Sequence, residues 1–179
     1  MICLMLLANG FEDTEALTTR DILLRGGVFV DLVSINDDLI VKSSYSLLVM
    51  ANNTLKKIDY KKYDCLILPG GGEGTKNLKE SKEVAEIVKY FYSKNKVIGA
   101  ICAAPSILGR LGYLTNRNYT CYKSCQEGEG LFSGKEVEIS DNIITARSMK
   151  YSIEFALTLL EKLTSKENRE KVENQILGK

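Results

Sequence analysis

Short apolar runs recur along this chain in alternation with helical patterns, and that order constrains the fold more than any other feature. Ile2–Ala8, Cys65–Leu68 and Val97–Ile101 are short, wholly apolar runs that predict buried strands; Val28–Ile35 predicts a strand with Val28, Val30, Leu32 and Val33 facing a core, and Ile143–Ala146 a further strand. Between them lie helical patterns. Asp13–Arg25 stops at Gly26-Gly27, and Ser81 caps a helix over 82–94 with Val84, Ile87, Val88 and Phe91 on one stripe. Further helices are expected over 103–111, ending at Gly112, and over 151–163. The stretch 39–50 predicts a hairpin-like excursion, and Asp141-Asn142 a second hairpin between Val137–Ile139 and Ile143–Ala146. Strands alternating with helices give an α/β, doubly wound, mostly parallel sheet with helices on both faces. One domain over residues 1–164, followed by a polar C-terminal tail over 165–179, is expected.

Composition removes whole mechanisms. The chain has no histidine, so it builds no Ser-His-Asp or Cys-His catalytic set and no histidine-bearing zinc site. Acid–base work near neutral pH falls to a shifted carboxylate, Cys, Lys or Tyr. With 24 basic and 23 acidic residues there is no electrostatic bias toward nucleic acid or an anionic membrane. No apolar run reaches the roughly 20 residues of a transmembrane helix, and Ile2–Ala8 has no basic residue ahead of it to make a signal peptide. A cytoplasmic, reducing location is expected, with Cys3, Cys65, Cys102, Cys121 and Cys125 as free thiols.

In such sheets ligands bind beyond the carboxyl ends of the strands. Three segments fall there. Cys102 follows the apolar strand 97–101 and precedes Ala103-Ala104-Pro105, a nucleophile-elbow arrangement with sulfur in place of a serine oxygen; a core cysteine is the competing reading. At the elbow, a helix N-terminus is expected to lower the thiol pKa and the Ala103 N–H to face developing charge. Pro69-Gly70-Gly71-Gly72-Glu73-Gly74 offers backbone amides as an oxyanion pocket, or is a plain tight turn; it completes neither a phosphate P-loop nor a dinucleotide fingerprint. Gly10-Phe11-Glu12-Asp13-Thr14-Glu15 opens a helix, where Asp13 is expected to cap and acidic residues suit the dipole. Glu15 is placed to project toward Cys102, and a buried carboxyl beside a thiolate would have a raised pKa. Without histidine it is the best general acid–base available.

These three segments, in this order and spacing, resemble the ThiJ/PfpI superfamily, in its branch of the Parkinson disease protein deglycase. The similarity runs on through Ile143-Ile144-Thr145-Ala146-Arg147 and Glu154-Phe155-Ala156-Leu157. The resemblance implies a flavodoxin-like sandwich and a homodimer, with Cys102 as the reactive cysteine and Glu15 sharing its proton. Gly71 and Ala103 would supply the oxyanion amides, and Cys121 and Arg147 would border the pocket. It further implies glyoxalase or deglycase chemistry on small α-oxoaldehydes or their glycated adducts, with no cofactor and no metal. A thiol redox sensor or stress chaperone working through oxidation of Cys102 is the alternative; an amidase or peptidase is disfavoured by the missing histidine. Two departures stand out. Cys121 lies where many relatives place a histidine, and Ser148-Met149-Lys150 replaces the Gly-Pro-Gly that commonly follows the arginine. Cys121 is also a candidate resolving thiol for an oxidised Cys102.

Overall fold

The computed structural model describes residues 1–179. In chain order the elements are β1 (Ile2–Leu7), α1 (Asp13–Arg25), β2 (Phe29–Ser34), β3 (Ile40–Lys42), β4 (Leu48–Met50), β5 (Asn53–Thr54) and β6 (Cys65–Leu68). They continue with α2 (Gly72–Glu80), α3 (Lys82–Ser93), β7 (Val97–Ile101), α4 (Pro105–Arg110), β8 (Asn118–Tyr119) and β9 (Leu131–Phe132). The chain ends with β10 (Val137–Ser140), β11 (Ile143–Ala146), α5 (Ser152–Leu163) and α6 (Lys166–Ile176). Seven strands form one sheet in the order β10-β11-β7-β6-β1-β2-β5, parallel except for the antiparallel β10–β11 pair at one edge.

The expected doubly wound α/β architecture is therefore present, and period-2 alternation shows how it is held. Along β1, Cys3, Met5 and Leu7 enter one core with residues of α1 and α5, while Leu4, Leu6 and Ala8 enter the other with residues of α3. Both faces of the strand are dry, which is why its sequence shows no polar alternation. From β1 the chain passes to β2 on one side and later to β6 on the other. That reversal opens a crevice at the carboxyl ends of β1, β6 and β7.

Several details differ from the expectations. The glycine run after β6 is not all loop: α2 begins at Gly72, a stretch whose glycines hide the helical signal. Tertiary contacts fix it instead, through the Gly74 N–H donating to the Gly10 carbonyl at 3.0 Å and buried Leu78. Helix α4 is shorter than expected because Cys102, Ala103 and Ala104 form a turn before Pro105 takes the first helical position. Glu12, not Asp13, caps α1, accepting from the Glu15 N–H at 2.7 Å, while Asp13 accepts from the Ser43 hydroxyl at 2.8 Å. The polar segment after Ser165 folds as α6, seating Val172 against the core and pairing Arg169 with Glu154 of α5 at 2.9 Å. No helix is long and apolar enough to cross a membrane.

Candidate functional site

The crevice gathers its residues from the three strand ends. Cys102 directly follows β7 with φ +62, a left-handed conformation that non-glycine residues seldom adopt. Its N–H donates to the Ala146 carbonyl at 2.8 Å and its carbonyl accepts from the Tyr122 N–H at 2.7 Å, so neighbouring segments hold the residue from both sides. The thiol is half-buried.

Glu15 lies in the first turn of α1 and is 1% exposed. Its Oε2 accepts from the Gly70 N–H at 2.7 Å; Oε1 is buried without a nitrogen or oxygen partner, and the carboxyl faces the Cys102 thiol. Gly70 is the meeting point. A Cβ at that position would lie 2.6 Å from Glu15 Oε2 and 2.9 Å from Cys102 Cβ, so any side chain there would occupy the space between the two groups. Sequence reasoning placed Gly70 in an amide-rich loop but did not identify this role; its sign was only that a glycine stands where a strand end enters the crevice.

Burial raises the Glu15 carboxyl from 4.5 to about 7, assisted by the nearby Glu12 charge and opposed by the Gly70 N–H and the Cys102 thiol. The Cys102 thiol is also pushed up, first by burial and then by the charge of Glu15; only the Ala103 N–H pulls it down. The expected lowering by a helix N-terminus is reversed. A six-residue α4 that begins three residues beyond the sulfur offers too little dipole to offset burial beside a carboxylate. The thiol therefore keeps its proton through the neutral range, while the carboxyl loses its own near 7.

Gly71 and Ala103 flank this pair. Neither N–H donates to a backbone oxygen; the Ala103 N–H faces the Cys102 sulfur, and the Gly71 N–H is open to a ligand. Gly71 has φ +92, and a Cβ on it would lie 2.3 Å from the Gly10 carbonyl oxygen, so only glycine lets the β6 loop press against the β1 loop. The β3–β4 hairpin braces the β1 loop in turn: the Gly10 N–H donates to the Lys42 carbonyl at 2.8 Å and the Ser44 N–H to the Phe11 carbonyl at 2.8 Å.

The remaining candidates are placed differently. Cys121 is fully buried, its thiol donating to the Tyr122 carbonyl at 3.2 Å, and burial pushes it up to about 12. Arg147 follows β11, beside Cys102 along the backbone, but its guanidinium donates to the Gly134 carbonyl at 3.0 Å and stacks over Tyr151. Cys3 and Cys65 are buried and sit opposite each other on β1 and β6, as core residues.

The family model of the DJ-1/PfpI family matches residues 1–162. Protein dj-1beta of Drosophila melanogaster is 31% identical over 178 residues, covering 97% of this chain and 95% of that one. The glutathione-independent glyoxalase DJ-1 of Schizosaccharomyces pombe is 34% identical over 178 residues, covering 93% and 92%. The solved structure of Schizosaccharomyces pombe DJ-1 superposes with TM-score 0.91 at 32% identity over 98% of both chains. Oxidized Toxoplasma gondii DJ-1 gives TM-score 0.88 at 31% identity, covering 98% of this chain and 97% of that one. With the match spanning sheet, crevice and all three strand-end segments, the chain belongs to the DJ-1/PfpI family.

Proposed function

We propose that this protein is a cofactor-independent glyoxalase acting on small α-oxoaldehydes and on the early adducts they form with amines and thiols, with Cys102 as nucleophile and Glu15 as its proton partner. The observation that carries the reading is the pair itself, a half-exposed thiol in a strained backbone turn facing a buried carboxyl across Gly70. Relatives named glutathione-independent glyoxalase, at 34% and 33% identity, support the same chemistry.

In the first step Glu15 takes the thiol proton as sulfur bonds to the aldehyde carbon, and the carbonyl π pair moves onto oxygen. The Gly71 and Ala103 N–H groups stabilise that oxyanion. Glu15 then returns the proton to it, giving a hemithioacetal and a free carboxylate. Next, Glu15 removes the hydrogen on the sulfur-bearing carbon as a proton, the electron pair moving onto the adjacent carbonyl oxygen as an enediolate; the hydroxyl proton of the first carbon passes to that oxygen, and Glu15 delivers its own proton to the second carbon as the first carbon's oxygen becomes the thioester carbonyl. The product is a thioester of the 2-hydroxy acid. Water cleaves the thioester, releasing the acid and restoring the thiol, so the sum is oxoaldehyde plus water to hydroxy acid; from an adduct, the amine or thiol leaves first with the proton of the adduct hydroxyl, which regenerates the carbonyl that Cys102 attacks. A carboxyl near 7 is suited to this because both of its protonation states are populated at neutral pH.

The test is lactate formation from methylglyoxal by the purified protein. Turnover above buffer that Cys102→Ala abolishes is expected; no acceleration, or an unchanged Cys102→Ala rate, would overturn the reading. The half-exposed thiol is also open to peroxide, and selective oxygen addition at Cys102 with negligible aldehyde turnover would move the function to thiol redox sensing. We also infer a homodimer. Exposed Ile40, Tyr45, Leu48 and Met50 on and between β3 and β4 support an apolar interface there.

A further inference from the structure

A polar groove of about 400 Å³ lies beside the reacting pair, with Ala103 of the cysteine turn in its lining. One wall is a single stripe of α2, with Gly72, Thr75, Lys76 and Lys79 at helical spacing; the other is α4, ending at Arg110, and the turn 124–127 completes it. Gly72 and Ala103, next to or among the proposed oxyanion amides, belong to its lining, so the groove adjoins the reacting pair without containing either of its side chains. Only Ala103 and Cys125 among the lining residues are apolar, which disfavours a greasy substituent.

The groove has unspent binding capacity. Lys79 is paired with Glu127 at 2.6 Å, but Lys76 and Arg110 have no carboxylate within salt-bridge distance. Glu80 is the one lining carboxylate without a cationic partner, so unpaired positive charge exceeds unpaired negative charge. Thr75 is 3% exposed and its hydroxyl has no partner. The Gly72 N–H, at the positive end of nine-residue α2, is also unbonded. Four residues of helix separate Gly72 from Lys76, a rise of about 6 Å along the groove wall.

We propose that this groove binds a carboxylate on the non-reacting part of the substrate, so that adducts of α-oxoaldehydes with amino acids and short peptides bearing a free carboxylate are preferred over the free aldehyde. The inference rests on the glyoxalase reading of Cys102. Lys76 and Arg110 are specificity residues in it, contacting the carboxylate and not the reacting carbon.

The methylglyoxal hemithioacetals of N-acetylcysteine and of N-acetylcysteine amide differ by that one carboxylate. For the wild type, kcat/KM for the acid is expected to exceed that for the amide by about tenfold, through KM, as one charge-assisted contact would give. Both cations are exposed, so the ratio should shrink as salt is added. Combined Lys76→Ala and Arg110→Ala should bring the ratio to about one while leaving turnover of free methylglyoxal unchanged. A wild-type ratio near one, or a ratio that survives the double substitution, overturns the proposal. If free methylglyoxal is not consumed at all, the glyoxalase reading fails, and NMR titration with N-acetylcysteine and its amide decides the groove separately. Acid-selective binding lost in the double variant then upholds the carboxylate site; equal binding of the two probes refutes it.

Discussion

Gly70→Ala adds one carbon at the point where the two groups of the site meet. The backbone at Gly70 is outside the left-handed region, so alanine brings no torsional strain and the effect is one of contact alone. The new carbon would lie 2.6 Å from Glu15 Oε2, 2.9 Å from Cys102 Cβ and 2.9 Å from the Ile101 carbonyl oxygen. Ordinary carbon contacts lie at about 3.5–4.0 Å, so roughly 1 Å must be found. Two of the three obstacles are backbone-anchored at the end of β7 and resist displacement. The carboxylate must yield instead, bending its bond to the Gly70 N–H and withdrawing from the thiol. A misplacement of about 1 Å costs on the order of 100-fold in rate. Overpacking of this kind costs about 1–3 kcal/mol, a fall in Tm of several degrees for a chain of this size. Initial rates of methylglyoxal loss, read beside a far-UV melt, separate the two effects. A folded Gly70→Ala protein with turnover within threefold of wild type would refute the assignment of Cys102 and Glu15 as a working pair.

Glu15 holds its proton more tightly folded than unfolded, because its folded value is raised from 4.5 to about 7. The associated stability is complete below 4.5 and is lost as pH rises through 7, by about 3 kcal/mol; Glu15→Gln should flatten that part of the denaturation profile while abolishing turnover, and an unchanged slope would exclude Glu15 as its source. Arg147→Ala removes the bond to the Gly134 carbonyl and the stacking on Tyr151, so a loss of about 1–2 kcal/mol in urea melts with turnover kept within threefold is expected; a collapse of kcat in a folded protein would instead put the guanidinium in the pocket. Leu48→Asp places a charge on the exposed β4 surface and should shift sedimentation from dimer to monomer with little change in the melt of the monomer; a monomeric wild type would remove the dimer.

Strand positions were legible because a strand buried on both faces is a short unbroken apolar run, as β1, β6 and β7 are, with β11 interrupted only by buried Thr145. The placing of the candidate site followed from topology, since ligands gather where parallel strands end at a reversal of strand order. What the residues alone did not reveal depends on long-range contact. Helix α2 has two glycines in its first three residues and is stabilised by a carbonyl from the β1 loop, 64 positions away in sequence from its donor Gly74. The rise in the Cys102 thiol depends on how deeply the sulfur is buried beside Glu15, a quantity set by packing and invisible to spacing. Arg147 showed the converse: a chemistry-bearing side chain near the strand ends, whose direction the sequence does not specify and whose partners turn out to be Gly134 and Tyr151.

The absence of histidine acquires a physical reading once the geometry is known. An imidazole near the thiol would accept its proton with both partners close to their ordinary values; a carboxylate in water, at 4.5, is too weak a base for that task. Burial at 1% exposure removes the difference, bringing Glu15 to about 7, and the Gly70 N–H limits the rise so that the carboxyl is not held permanently neutral. Such burial requires that nothing but a hydrogen stand between α1 and the end of β7, which is what Gly70 supplies. It also requires the β1 loop to lie directly on the β6 loop, which Gly71 permits at φ +92 and the β3–β4 hairpin secures from the other side. The proton chemistry of this site is thus a property of two glycines and a brace as much as of the pair that carries the proton.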